Sequence, residues 1–380
     1  MTAMSTMTTL GRDTSAQTYL ERFAPLLGDE DITEIAINGP DLVFVERRGV
    51  WEAVPCSVSE AELIHLGTAV ARLCEQEWNE RHPLLSASIP NSEFRGARAG
   101  ASGRGVGNGM AGPEGGGGVA GVAGLSSRPL SELRLQLARP PAVPPGTVSI
   151  TIRKPIQIER TLAGFGASGA FGAVRIHALE SRSGDTELKD LLERGVVESF
   201  LRRAVQLRRN IVVAGATGSG KTTFMKALVC EIPRGERLIT IEDVRELTLP
   251  HSNHVNLLYS KGDQSTASVT ARDLLEACLR MKPCRILLAE LRGAECLYYV
   301  RNAASGHPGS ITSVHAGSPD LAFEHMAIMI KDSPGGAFLD FQTIQRLLHL
   351  TVDIVVQLQN QGGRRHVSEI RFEPRLPDFR

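Results

Sequence analysis

The stretch GATGSGKTT, Gly215 to Thr223, carries the most specific chemistry in the sequence. It satisfies G-x-x-x-x-G-K-[ST] with Gly215, Gly220, Lys221 and Thr222. The small residues Gly215, Ala216, Thr217, Gly218, Ser219 and Gly220 let successive backbone N–H groups turn toward phosphate oxygens. A helix beginning near Thr222 and Thr223 would present its positive end to the same anion. Lys221 can then reach the β- and γ-phosphates, and the Thr222 hydroxyl can bind Mg²⁺. The flanks fit, because the apolar run NIVVA precedes the loop and FMKALVCEI follows it.

Such a loop binds phosphate in many kinds of enzyme, so acidic positions downstream carry weight. RLITIEDVREL reads as a strand ending in Glu242 and Asp243, with Glu246 just beyond. RILLAELRGAE reads as another, ending in Glu290. In a parallel sheet, carboxylates at the C-terminal strand ends converge on the ligand crevice. One can support the Mg²⁺ shell while another orients an attacking water. Two strands ending this way beside a phosphate loop favour a site over ordinary solvated carboxylates. SGHPGSITSVHAGSP adds His307 and His315, whose neutral imidazoles could read the γ-phosphate. Their spacing is not H-E-x-x-H, which argues against a metal centre.

These residues need a scaffold. From VVESFLRRAVQLRRN onward, helical and strand patterns alternate, which predicts a parallel, helix-covered sheet over 196–380. Residues 1–155 read as a mixed α+β unit. SAQTYLERFAPLLG has helical spacing with Leu20, Phe23, Leu26 and Leu27 on one side. ITEIAINGPDLVFVERRGVWEAV alternates like short strands joined by turns. SVSEAELIHLGTAVARLCEQE opens with a capping-box pattern, at Ser59 or Ser57. About residues 92–131 the chain is largely glycine and alanine, which cannot bury enough surface to offset its ordering entropy, so a flexible insertion is expected. LRLQLARPPAVPPGTVSITIRKP returns to strands, and 156–195 reads as a linker region.

Composition narrows the function classes. The 42 basic and 42 acidic residues balance, so no global basic field points to nucleic acid. No recognition motif is visible either, and the basic run FLRRAVQLRRN reads as a solvated helix face open to a partner or anionic head groups. The six cysteines form no C-x-x-C pair and read as reduced core residues. The start has neither a cationic nor an apolar signal region, and no run reaches the roughly 18 apolar residues of a membrane span. A cytoplasmic chain with at most peripheral membrane contact is the expectation.

In order, GATGSGKTT, TIEDVREL, RILLAELRG and GHPGSITSVHA resemble the motifs of the type II/type IV secretion NTPase superfamily. DITEIAINGPDLVFVERRGVW and PPAVPPGTVSITIRKP are similar to the N-terminal domain of the VirB-type traffic ATPases of type IV secretion. The resemblance runs from about Ile32 to Glu373 apart from the glycine-rich insertion. It implies an α/β fold: a RecA-like P-loop NTPase core with a smaller α+β N-terminal domain. It further implies a homo-hexameric ring on the cytoplasmic face of the inner membrane, binding ATP and Mg²⁺ and powering passage of a protein or DNA–protein substrate. Other type IV secretion subunits, inner-membrane components and other secretion ATPases among them, would be its partners. Glu246 falls at the family's water-orienting glutamate, Glu290 at its Walker B glutamate, and His307 and His315 at its paired histidines. Arg280 and Arg153 fall on arginines, the latter one thought to approach the phosphates. Three departures stand out. Pro283-Cys284 replaces a Pro-Asp, about forty residues are inserted between Pro90 and Arg134, and Arg139 replaces an apolar residue. A type II secretion or pilus-type motor and a low-turnover nucleotide-dependent scaffold are the alternative readings.

Overall fold

The computed structural model describes residues 15–90, 132–154, 184–260 and 267–372, together with residue 167. The glycine-rich insertion and the linker up to residue 183 lie outside the described residues.

The N-terminal unit is built on six strands: β1 (Ile32–Ile37), β2 (Val43–Arg47), β3 (Val50–Val54), β4 (Leu84–Pro90), β5 (Glu132–Ala138) and β6 (Ser149–Arg153). They form one sheet in the order β3-β2-β1-β6-β5-β4, every neighbouring pair antiparallel. The β2–β3 turn is Arg48-Gly49, both at positive φ (53° and 84°), the geometry whose twist matches antiparallel strands. One face of the sheet packs on the first helical segment and on a 14-residue helix, Glu60–Leu73. Leu20, Phe23 and Leu27 from the first segment are buried as their spacing predicts, with Leu26 packed at the margin. That segment tightens to a 3₁₀ turn at Glu21–Phe23, just before α1 (Ala24–Gly28), where Pro25 lacks the N–H an α-turn needs. The longer helix, α2 (Glu60–Leu73), resolves the capping choice: Ser59 and Glu62 form the reciprocal box.

The C-terminal unit has seven strands: β7 (Ile211–Gly215), β8 (Leu238–Glu242), β9 (His254–Leu258), β10 (Arg285–Leu288), β11 (Ile311–Val314), β12 (Ile354–Gln361) and β13 (Arg364–Phe372). Two ladders, β10-β8-β9 and β11-β7-β12-β13, meet where Leu291 bridges Val314. Ser310 and Ser313 hydroxyls donate to the Ile286 and Ala289 carbonyls across the same seam. The resulting order is β9-β8-β10-β11-β7-β12-β13, parallel except for the last strand. Helices cover both faces. α3 (Asp185–Glu193), α4 (Val197–Gln206) and α5 (Lys221–Cys230) cover one, while α6 (Ala271–Cys278), α7 (Glu295–Ala304), α8 (Pro319–Asp332) and α9 (Phe341–Thr351) cover the other. Alternate strand residues therefore enter different cores, Ile211 and Val213 one, Val212 and Ala214 the other. Burial on both faces is why these strands read as unbroken apolar runs.

α3 falls inside the stretch read as linker, and its Leu188 is fully buried in the C-terminal core. Arg202, Arg203 and Arg208 of the basic run stay half-exposed, as a solvated face should, while Arg202 pairs with Glu198 and Glu231, Arg203 with Glu187 and Arg208 with Glu236; Arg209 is buried against Asp185. Of the cysteines, Cys278 and Cys296 are buried, with thiol pKa values pushed up by desolvation, whereas Cys230 is exposed. Arg139 finds an apolar use for its guanidinium, stacked 5.2 Å from the Trp78 ring centre.

The two units meet around Arg237, which is wholly buried with no carboxylate contact recorded among the described residues. It donates to Met281 O (3.0 Å), Asn38 Oδ1 (2.7 Å), Asn253 Oδ1 (2.6 Å) and Thr151 Oγ1 (3.3 Å), and lies over Trp51. Lys282 Nζ to Glu46 Oε2 (3.1 Å) adds an ion pair, and Ala142 O accepts from Leu258 N (2.9 Å). Arg237→Ala should cost about 2–4 kcal/mol by stranding buried acceptors. Urea unfolding would test this, and an unchanged midpoint would count against the clamp.

Glu34 predicts a pH dependence. It is 2% exposed, its Oε2 has no hydrogen-bond partner among the described residues, and Arg153 lies 3.3 Å from Oε1. Burial outweighs the Arg153 charge and raises the carboxyl from an ordinary 4.5 to about 7. Between those values the folded chain keeps a proton that the unfolded chain releases, so stability falls as pH rises and levels off above about 7. Glu34→Gln should therefore be more stable than the parent at about pH 8, by on the order of 3 kcal/mol, and lose that advantage near pH 4. A gain independent of pH would refute the assignment.

Candidate functional site

At the C-terminal ends of β7, β8, β10 and β11 lies a cavity of about 280 Å³. The loop from β7 to α5 forms one wall, with Thr217, Gly218, Gly220, Lys221, Thr222 and Thr223 facing in. Gly218 and Gly220 adopt φ of 76° and 94°, conformations that L side chains rarely take. Gly215 answers a different demand, since a Cβ there would stand 2.7 Å from Leu358 O. Ser219 is buried behind the loop with its hydroxyl unpartnered among the described residues.

Lys221 is 8% exposed and folds back on its own loop, donating to Gly215 O (2.9 Å) and Ala216 O (3.2 Å). Burial lowers its pKa, with the Glu290 charge pulling the other way. Its Nζ also lies 3.3 Å from His315 Nδ1. His315 Nε2 approaches Glu290 Oε1 to 2.6 Å, close enough for an ion pair. Oε1 is buried and has no hydrogen-bond partner among the described residues. Arg292 holds the other oxygen, Nε to Oε2 at 2.6 Å, and reaches Asp243 Oδ2 at 3.0 Å.

Glu242 plays a supporting part. It is 1% exposed, and its Oε1 accepts from the backbone N–H of Glu246 (3.0 Å) and Leu247 (2.8 Å). Desolvation pushes its pKa up, opposed by these hydrogen bonds. The carboxylate thereby folds the loop after β8 so that Asp243, Glu246 and Leu247 line the cavity.

Of the residues singled out from sequence, the phosphate loop, Glu246, Glu290 and His315 gather around this cavity. Arg153, Arg280 and His307 do not line it. Arg153 is on β6, paired with Glu34. Arg280 donates to Ser86 Oγ (3.3 Å) at the junction of the two units. His307 is partly buried before β11, at the strand's far end, hydrogen-bonded to the Pro283 backbone; burial lowers its pKa. The reading of the histidines as a pair thus needs correcting. The strand Ile311–Val314 runs between them, and at about 3.3 Å per residue it carries them to opposite edges of the sheet. Three polar lining residues are not singled out by the sequence: Arg292, Ser313 and Arg365. The first was within reach, two positions after Glu290 at a strand end, whereas Arg365 comes from the β12–β13 hairpin and had no local signal.

A Mg²⁺ ion bound with a nucleotide asks for hard oxygen donors and few protein ligands. The Thr222 hydroxyl on the cavity wall and the unused Glu290 Oε1 fit that demand. Among the described residues no cluster of three or more His, Cys, Asp or Glu is placed to hold a metal ion.

The model of the family described as "Type II/IV secretion system protein" matches residues 169–359. The type IV secretion system protein VirB11 of Brucella suis is 45% identical over 371 residues, 96% of this chain and 91% of the relative. PtlH, a type IV secretion system protein of Bordetella pertussis, is 37% identical over 96% of this chain and 97% of its own length. The crystal structure of the VirB11 ATPase from the Brucella suis type IV secretion system in complex with sulphate superposes with a TM-score of 0.82, at 44% identity and 96% coverage of both chains.

The support of Glu246 by Glu242 can be checked directly. Glu242→Ala should expose the Glu246 and Leu247 amides, cutting their hydrogen-exchange protection by about tenfold or more, since each loses a charge-assisted bond. Protection unchanged at both amides would show that the loop holds its shape without Glu242.

Proposed function

We infer what this chain does from what it is: a member of the type II/IV secretion system protein family. It is a nucleotide-hydrolysing enzyme of type IV secretion. Beyond that, we propose that it hydrolyses ATP as a homo-hexameric traffic ATPase, working with other secretion subunits and secretion ATPases at the cytoplasmic face of the inner membrane. No helix among the described residues is long and apolar enough to cross a membrane, which suits attachment through partner proteins. The domain motion that follows loss of the γ-phosphate would drive assembly of the machine or passage of its protein or DNA–protein cargo.

One observation carries the catalytic reading: Lys221, His315 and Glu290 stand in contact at the mouth of a glycine-turned loop. In this proposal the backbone of Gly215–Thr223 cradles the phosphates, and Lys221 exchanges its two loop carbonyls for phosphate oxygens. Glu246, exposed on the cavity rim, orients the attacking water, and His315 reads the γ-phosphate from the β11 end. Thr222 and Glu290 would hold Mg²⁺, which when bound neutralises charge on the phosphate oxygens. Arg153 and Arg280 lie outside the cavity, so any approach to phosphate would come from a neighbouring subunit or a shift of the N-terminal unit. His307, at the far edge of the sheet, would act only on the strand that carries His315.

Lys221→Ala should abolish both nucleotide binding and turnover, and Glu290→Gln should cut turnover by about 10²-fold or more while leaving nucleotide bound. Steady-state phosphate release, read beside particle mass, checks both. Turnover surviving Lys221→Ala would remove the site assignment. A ring that binds nucleotide without releasing phosphate would favour the scaffold reading.

A further inference from the structure

The β12–β13 hairpin does more than close the sheet. Leu358 pairs in register with Gly215, the last residue of β7, so the residues beyond it rise alongside the phosphate loop. The tip is Gly362-Gly363, both at positive φ (60° and 84°), and behind it Asn360 and Arg365 stand opposite each other. Asn360 Nδ2 contacts Gly218 O at 3.5 Å. Arg365 lies over the start of α5, where a Cβ on Gly220 would come within 3.0 Å of its Cδ. Its side chain is one of the cavity walls.

We propose that Arg365 is a nucleotide-binding residue of this site, contacting the α-phosphate of a nucleoside di- or triphosphate from the hairpin side. Three observations converge. First, the other cavity cations already have anionic or carbonyl partners: Lys221 holds two loop carbonyls, and Arg292 holds Glu290 and Asp243. Arg365 faces the cavity with no carboxylate within ion-pair distance among the described residues. Second, the groups suited to the terminal phosphate, Lys221, His315 and Glu290, stand together on the β10–β11 side of the loop. A phosphate chain anchored there runs over the start of α5 toward β12, and its base-proximal end arrives at Gly220, beneath Arg365. Third, a guanidinium presents paired donors to a phosphate, so an exposed arginine on an ordered hairpin can clamp one without being buried.

The inference rests on the nucleotide-site reading above, and its test separates the two. Binding of MgATP and MgADP would be measured by titration calorimetry for the parent, Arg365→Ala, Arg365→Lys and Lys221→Ala chains. Arg365→Ala should weaken ATP and ADP alike, by about tenfold or more, with Arg365→Lys recovering part of the loss. In turnover assays the defect should fall on KM more than on kcat, because the α-phosphate is held equally before and during the reaction. Arg365 is exposed, so thermal unfolding of the alanine chain should match the parent and certify its fold. Unchanged ADP affinity in Arg365→Ala would overturn the proposal, as would weakening confined to ATP, which would move the contact to the γ-phosphate. If Lys221→Ala also binds nucleotide normally, the site reading itself falls, a result distinct from silence at Arg365 alone.

Discussion

The gap between the loop that carries Lys221 and the strand end that carries Glu290 is set by β11, which lies between β7 and β10. Strands sit about 4.8 Å apart, so one intervening strand leaves roughly 10 Å between the two walls. His315, one residue past the end of β11, fills that gap with a single ring: Nδ1 faces Lys221 and Nε2 faces Glu290. One ring is thereby in contact with the lysine on one side and the carboxylate on the other. Had the carboxylate strand been β7's immediate neighbour, no side chain could have stood between lysine and glutamate.

That arrangement also explains why the site is stable with its charges so close. Along the cavity mouth, positive and negative groups alternate: Lys221, Glu290, Arg292, Asp243. Each partner is one that a phosphate or its cation could displace. The lysine holds neutral carbonyls, and Glu290 keeps one oxygen unused. Glu242 differs, being buried and committed to backbone N–H groups. Of the acidic residues at the end of β8, it is the one that shapes the loop, leaving Asp243 and Glu246 on the cavity wall.

Much of this was legible before any coordinates. The loop glycines announce a backbone that must turn, and alternation of strands with helices announces a parallel sheet whose C-terminal edge gathers Glu246, Glu290 and His315. The capping box at Ser59 needed only the burial pattern of its helix to be chosen over Ser57. What escaped was long-range. Arg365 reaches the loop only because β12 pairs with β7, a pairing that no local pattern encodes. The partners of the basic run escape a local reading because they lie on other segments, such as Glu187, Glu231 and Glu236. His307 looked like a partner of His315 because spacing along a sequence says nothing about which edge of a sheet a strand delivers each residue to.

The placement of the N-terminal unit follows from similar reasoning. Its contacts with the rest of the chain fall at Arg237, Asn253, Met281 and Lys282, all next to the N-terminal ends of β8, β9 and β10, and at β9 through Ala142 and Leu258. The cavity opens at the C-terminal ends of the parallel strands, and every residue lining it lies between Thr217 and Arg365. A buried guanidinium without a carboxylate is worth keeping where it ties amide and hydroxyl groups of two units into one geometry, since each of those acceptors would otherwise be stranded. Arg237 thus fixes the N-terminal sheet against the back of the enzyme core, and Arg153, carried on that sheet, stands outside the cavity as a consequence. Within one chain the wall of the cavity, as described, comes from the core side alone.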